Sequence, residues 1–178
     1  MSKQINIQIQ INNQKFELPS NALWFDKWNN EPYIYMSAKN TASLIKQFVK
    51  KNFPGVKVWA TSDVYSGGSS VRVNVSNSDG SPLSLPIFGE INSFGNSFKA
   101  GKFDGMTDCY EYYDVDVRTD NGTKLKYFPS YIFIENRATW GSVEYWVNEI
   151  KNEGRTLEKE VNYMKAGMKE KVVAALSL

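Results

Sequence analysis

Asp104, Asp108 and Glu111 fall within one eight-residue stretch, close enough for carboxylates to share a proton or hold a Mg²⁺ ion. Their spacing does not fit a calcium-binding EF-hand loop, which places a ligand at every second position. The chain contains no histidine. Ser-His-Asp and Cys-His nucleophile systems, His-ligated zinc and imidazole acid–base chemistry are therefore excluded. Cys109 is the only cysteine, so no internal disulfide or cysteine-based metal site can form. Hydrolysis would have to rest on carboxylates and metal alone. The same carboxylates serve equally well as caps and turn acceptors, and that is the expectation: no catalytic residue, no metal and no cofactor. Gly67-Gly68-Ser69-Ser70 is the stretch most like a phosphate-binding loop, because successive backbone N–H groups can cradle an anion. It lacks the P-loop spacing and leads into a strand, so it is expected to be a hairpin turn.

Charge is unevenly placed. Five lysines and no acid lie between residues 39 and 57, whereas residues 103–120 hold six acids against Arg118. The first run, with Lys46, Lys50, Lys57 and nearby Arg72, is a candidate phosphate-contacting surface, with Trp59 or Tyr65 stacking on bases. The second, with Asp108, Glu111, Asp114 and Asp116, is a candidate partner-binding surface to which Trp24 and Trp28 would add apolar anchors. Over the whole chain 21 basic residues balance 19 acidic ones, for a net charge of +2 and a pI near 8.5. That excludes both a strongly acidic nucleic-acid mimic and a histone-like basic coat.

These residues need elements to hold them. A chain of 178 residues that is 42% hydrophobic and 14% aromatic has enough apolar material for one packed core. Ile5, Ile7, Ile9 and Ile11 alternate with polar residues, Asn12-Asn13 turns the chain, and residues 14–18 return: a β-hairpin. Residues 20–36 carry Trp24, Phe25, Trp28, Tyr33 and Tyr35 without periodicity and read as a loop covering the core. Residues 37–53 form the best helix, capped by Ser37 and stopped by Pro54-Gly55. Val56, Val58 and Ala60, then Val71, Val73 and Val75, alternate as two strands. Residues 76–101 read as a long ordered loop with a short helix; further strands are expected over 110–117, 124–128 and 131–134, with a turn at Asp120-Asn121-Gly122. Helices over 142–151 and 156–176 close the chain, the second with Leu157, Val161, Met164, Met168, Val172 and Ala175 on one face, against the sheet or as a dimer seam. The fold class is α+β: an antiparallel sheet with a packed helix and appended C-terminal helices. The parts are 1–36, 37–138 and 139–178, within one compact unit. No apolar run exceeds five residues, so no membrane contact is expected and the chain suits a bacterial cytoplasm.

The run Leu44-Ile45-Lys46 to Phe53-Pro54-Gly55-Val56-Lys57-Val58, followed by Tyr65-Ser66-Gly67-Gly68-Ser69-Ser70-Val71-Arg72-Val73, resembles the opening of a large polyvalent protein associated domain, the twenty-ninth of that series. Phe103-Asp104-Gly105-Met106-Thr107-Asp108 and Tyr131-Ile132-Phe133 resemble its second half, for a coverage of about residues 38–138. The resemblance implies an origin in phages, plasmids or conjugative elements and a role in countering host defence. It carries no catalytic residue. The expected function is a non-catalytic inhibitor of a host defence protein or ribonucleoprotein, anti-CRISPR-like in kind. The alternatives are a nucleic-acid-binding module built on the basic helix and a carboxylate–metal enzyme.

Overall fold

Asn12 and Asn13 both take positive φ, at 52° and 61°, the geometry a two-residue hairpin turn demands and asparagine tolerates. They join β1 (Asn6–Ile11) to β2 (Gln14–Pro19) in unbroken antiparallel register. Ile9, Ile11, Phe16 and Leu18 point to one side and are buried, as the period-two pattern predicts. The computed structural model describes residues 6–104, 109–112, 114–137, 142–160, 163–164 and 167–177.

After one 3-10 turn at Ser20–Ala22 come β3 (Leu23–Phe25) and β4 (Pro32–Tyr35). The expected core-covering loop is thus a short antiparallel pair. Strands of three and four residues are too short to show a period, and all of β3 is exposed, so alternation had nothing to register. Ser37 then caps α1 (Ala38–Asn52), its hydroxyl accepting from the Asn40 backbone N–H at 3.2 Å. Gly55, at φ 97°, turns the chain out of the helix. Strands β5 (Lys57–Tyr65) and β6 (Gly68–Ser76) form a nine-pair antiparallel hairpin. Helix α2 (Leu85–Asn96) follows, then β7 (Gly101–Asp104), β8 (Cys109–Tyr112), β9 (Lys124–Lys126) and β10 (Tyr131–Asn136).

The chain is α+β, and most of its strand pairs are antiparallel. Two pairings are parallel: β10 lies beside β6, giving the order β10-β6-β5, and β9 lies beside β4, giving β3-β4-β9. Parallel neighbours need long crossovers, which the segments through α1 and α2 supply; strand patterns in sequence do not name a partner. Val71, Val73 and Val75 of β6 and Ile132 of β10 face α1 and α2. The helices in turn meet the hairpin, with Phe48 stacked on Phe94 at 3.7 Å and Phe94 against Phe16 at 5.9 Å. Sheet, helices and hairpin form three layers around one core that also takes Ile34, Met36 and Leu125.

At the C-terminus α3 (Val143–Lys151), capped by Ser142, packs on α5 (Met168–Leu176), with Trp146 and Val172 buried. The expected single helix over 156–176 is interrupted: α4 (Leu157–Glu160) is one turn, and Gly167 at φ 75° precedes α5. A left-handed residue cannot sit inside a right-handed helix, and the periodic apolar residues masked that break. Among the described residues no helix is long and apolar enough to cross a membrane.

Helix α2 approaches β10 through Gly95. A Cβ there would overlap the Ile134 Cδ1 methyl, with Ile45 Cδ1 3.5 Å away on the other side. Gly89, in the same helix, has nothing within 4 Å. Gly95→Ala is therefore expected to lower stability in urea unfolding by about 1–3 kcal/mol through overpacking. Gly89→Ala should raise it by about 0.5–1 kcal/mol through helix propensity. Equal effects at the two positions would contradict this packing.

Candidate functional site

Because Val71, Val73 and Val75 turn inward, Ser70, Arg72 and Asn74 must turn outward. The flanking strands obey the same alternation. Trp59, Thr61, Asp63 and Tyr65 of β5 and Tyr131, Phe133 and Glu135 of β10 share that outer face, in the rows Trp59–Asn74–Glu135, Thr61–Arg72–Phe133 and Asp63–Ser70–Tyr131. Trp59 is 61% exposed, and Tyr65 and Phe133 are each nearly half exposed. Tyr131 and Phe133 stack with centroids 6.0 Å apart. The Arg72 guanidinium lies 5.6 Å from the Phe133 ring and 3.7 Å from Glu135, whose other oxygen meets Arg137 at 3.2 Å. Arg72 and Arg137 are thus both paired through Glu135. At its end, Gly67 takes φ 91° in the hairpin turn and its carbonyl accepts from the Tyr112 hydroxyl at 3.1 Å. Tyr65 covers Gly68, where a Cβ would be 3.3 Å from the Tyr65 ring and 3.1 Å from Ser130 Oγ. The Tyr65 hydroxyl is held above its ordinary pKa, first by desolvation and then by Tyr131, Tyr112 and Asp63, which keeps it a neutral donor. Of the Gly67-Gly68-Ser69-Ser70 stretch only Gly67 lies in the turn, with Ser66; Gly68, Ser69 and Ser70 already pair with β5 as the start of β6, so the expected hairpin turn is two residues long.

A second aromatic cluster lies on β3-β4-β9. Trp24 stacks on Tyr35 at 5.1 Å and donates its indole N–H to the Asn21 carbonyl; Tyr127 stands 5.6 Å from both Tyr33 and Tyr35. Lys126 Nζ sits 4.9 Å from the Tyr33 ring centre and 3.2 Å from Asp26. Trp28 projects from the following turn and is 90% exposed, with Lys27 over its ring. Trp24 is thus half committed to packing, and Trp28 is free of it.

The basic residues do not form one surface. Lys46 and Lys50 ride on α1, behind the sheet, whereas Lys57 and Arg72 belong to the outer face. The acidic segment is partly neutralised locally: Asp114 meets Lys124 at 3.4 Å, Asp116 meets Arg118 at 3.1 Å, and Asp120 accepts from the Asn13 backbone N–H. Glu111 is exposed on β8, which ends at Tyr112 rather than running on to 117, and Asp104 closes β7 opposite Cys109. Asp108 lies outside the described residues, and the expected carboxylate cluster with it. Among the described residues no group of three or more acidic or cysteine side chains could hold a metal ion. A cleft of about 550 Å³ between β1 and the 119–123 turn offers Lys15 and Asp120 as its titratable groups.

Tyr131 and Phe133 carry part of the family resemblance, but the sequence does not mark them as members of a binding face. Their alternation with Ile132 and Ile134 carried the signal, but only the pairing with β6 shows that they join Arg72.

Residues 36–140 match the family model of large polyvalent protein associated domain 29. The chain belongs to this family. The match opens beside Ser37, the cap of α1, and runs past the end of β10, so the whole outer face of the large polyvalent protein associated domain lies inside it. β1 to β4 and α3 to α5 stand outside. No curated protein and no solved structure matches the chain.

The Trp28 turn is closed by Asp26, whose carboxylate accepts from the Trp28 backbone N–H at 3.0 Å. That bond, then Lys126, holds the Asp26 pKa below its ordinary 3.8. A lowered folded pKa contributes stability at pH values above 3.8 that is lost as pH falls through the folded value. Acid unfolding followed by tryptophan fluorescence should show this loss below about pH 4. Asp26→Asn should remove that part of the pH dependence while lowering stability at neutral pH; an unchanged acid profile would contradict the assignment.

Proposed function

We propose that this chain is a binding protein of a phage or other mobile genetic element that docks on a host defence protein or ribonucleoprotein and inhibits it without catalysis, in the manner of an anti-CRISPR protein. The observation that carries this reading is the outer face of β5, β6 and β10. Among the described residues no helix covers it, and it combines exposed Trp59, Tyr65 and Phe133 with Arg72, the residue types that dominate protein-binding hot spots. Its arginine is already paired with Glu135, which suits a desolvated protein contact better than a polyanion. Family membership supports the mobile-element origin.

A second reading is favoured by one feature of the same face. Aromatic rings and an arginine on an open sheet also make a stacking platform for single-stranded nucleic acid, with Lys57 at its margin. Asp63 and Glu135 on that face weigh against it, and Lys46 and Lys50 cannot join it from behind the sheet.

Capture from bacterial lysate, with and without nuclease, separates the two. The tagged chain is expected to retain a defence protein after nuclease treatment, and Trp59→Ala with Phe133→Ala should cut that retention at least about tenfold. Asp114→Asn with Asp116→Asn should leave it intact. Retention of nucleic acid alone, lost at moderate salt, would transfer the function to the second reading.

A further inference from the structure

We infer that the open edge of β5 accepts an extended acidic segment of a partner protein as a fourth strand of the sheet. This goes beyond the docking face, because the edge is the side of β5 and can be used whatever occupies the outer surface.

Strand β5 ends the order β10-β6-β5 and runs for nine residues with no proline and no bulge. Tyr65 and Gly68 close a two-residue turn, so they exchange hydrogen bonds, as do alternate pairs down the ladder: Asp63 with Ser70, Thr61 with Arg72, Trp59 with Asn74. The intervening residues, Val58, Ala60, Ser62 and Val64, turn their backbone N–H and C=O groups away from β6. Among the described residues none of these groups has another partner. A row of unpaired main-chain groups of this length is a template for another strand.

The chemistry of the flank selects the occupant. On the inner side of the edge, α1 and β5 border a groove of about 430 Å³ lined by Lys39, Ser43, Lys46, Ala60 and Ser62. Neither lysine has an ion-pair partner among the described residues, and α1 contains no acid. Asp63, the one acid of β5, belongs by alternation to the opposite face. An added strand would point every second side chain into this groove, beside two uncompensated ammonium groups, and carboxylates at those positions would neutralise them. The remaining side chains would extend the outer face next to Trp59, where apolar residues fit. A second copy of the chain would bring four lysines together across the new pairing, which disfavours self-association. Nucleic acid lacks the regular N–H and C=O ladder that the edge requires.

The test uses the full chain and two fluorescein-labelled octapeptides, one alternating Glu with Val and one alternating Lys with Val. Fluorescence anisotropy should show the Glu peptide binding at least tenfold more tightly. Hydrogen exchange should show the Ala60, Ser62 and Val64 amides gaining protection, while Thr61 and Asp63, already in the ladder, stay unchanged. Ser62→Pro removes an outward N–H without removing a β5–β6 bond, and should weaken binding at least tenfold. Lys39→Glu with Lys46→Glu, on the helix surface, should reverse the peptide preference even if the proline variant folds poorly. Equal binding of both peptides would overturn the proposal, as would binding without protection at those amides. So would concentration-dependent dimerisation that protects the same amides with no peptide present.

Discussion

Val71, Val73 and Val75 are wholly buried beneath α1, and that one row of methyl groups fixes where the side chains of the larger sheet go. Strand geometry allows no compromise: once alternate residues enter the core, those between must leave it. Arg72 and Asn74 are placed outward by their neighbours, and the ladders on either side carry the choice across to Trp59, Tyr65 and Phe133. A slip of one residue would bury Arg72 and expose the valines, at a cost of several kcal/mol for the desolvated charge alone. The outer face is therefore as rigidly specified as the core behind it.

The helices are held between two sheets of different kinds. On one side Gly95 lets α2 come down onto Ile134; on the other the Phe48–Phe94 stack meets Phe16 of the hairpin. Phe16 lies outside residues 36–140, as does β4, the partner of β9. In this chain the family segment and the folding unit are not the same object. Cut out alone, residues 36–140 would lose the layer that covers the aromatic stack and the strand that pairs with β9.

What sequence reveals here is local. The asparagine turn, the Ser37 cap, the Gly55 stop and the alternation of β1, β5 and β6 are each written within about ten residues, and each is where its chemistry puts it. Long-range pairings leave no such mark. Nothing in Tyr131 to Asn136 says that this strand runs parallel to β6, and so Phe133 could not be joined to Arg72 in advance. The same limit split the basic group: Lys46 and Arg72 are close in sequence pattern but separated by the thickness of the sheet. Helical spacing misled at the C-terminus for the opposite reason, because apolar periodicity continues across Gly167 although the backbone does not.

The parallel strand also sets a timetable. The β5–β6 hairpin is complete once residue 76 has left the ribosome, yet β10 arrives more than fifty residues later. Synthesis at about 5–20 residues per second leaves the hairpin waiting for some seconds, far longer than hairpins take to form. Through that interval β6 is itself an edge, its valines shielded on one side by α1 but its outward ladder unfilled. The chain thus passes through a stage in which both flanks of one hairpin are adhesive, and only the arrival of β10 reduces them to one.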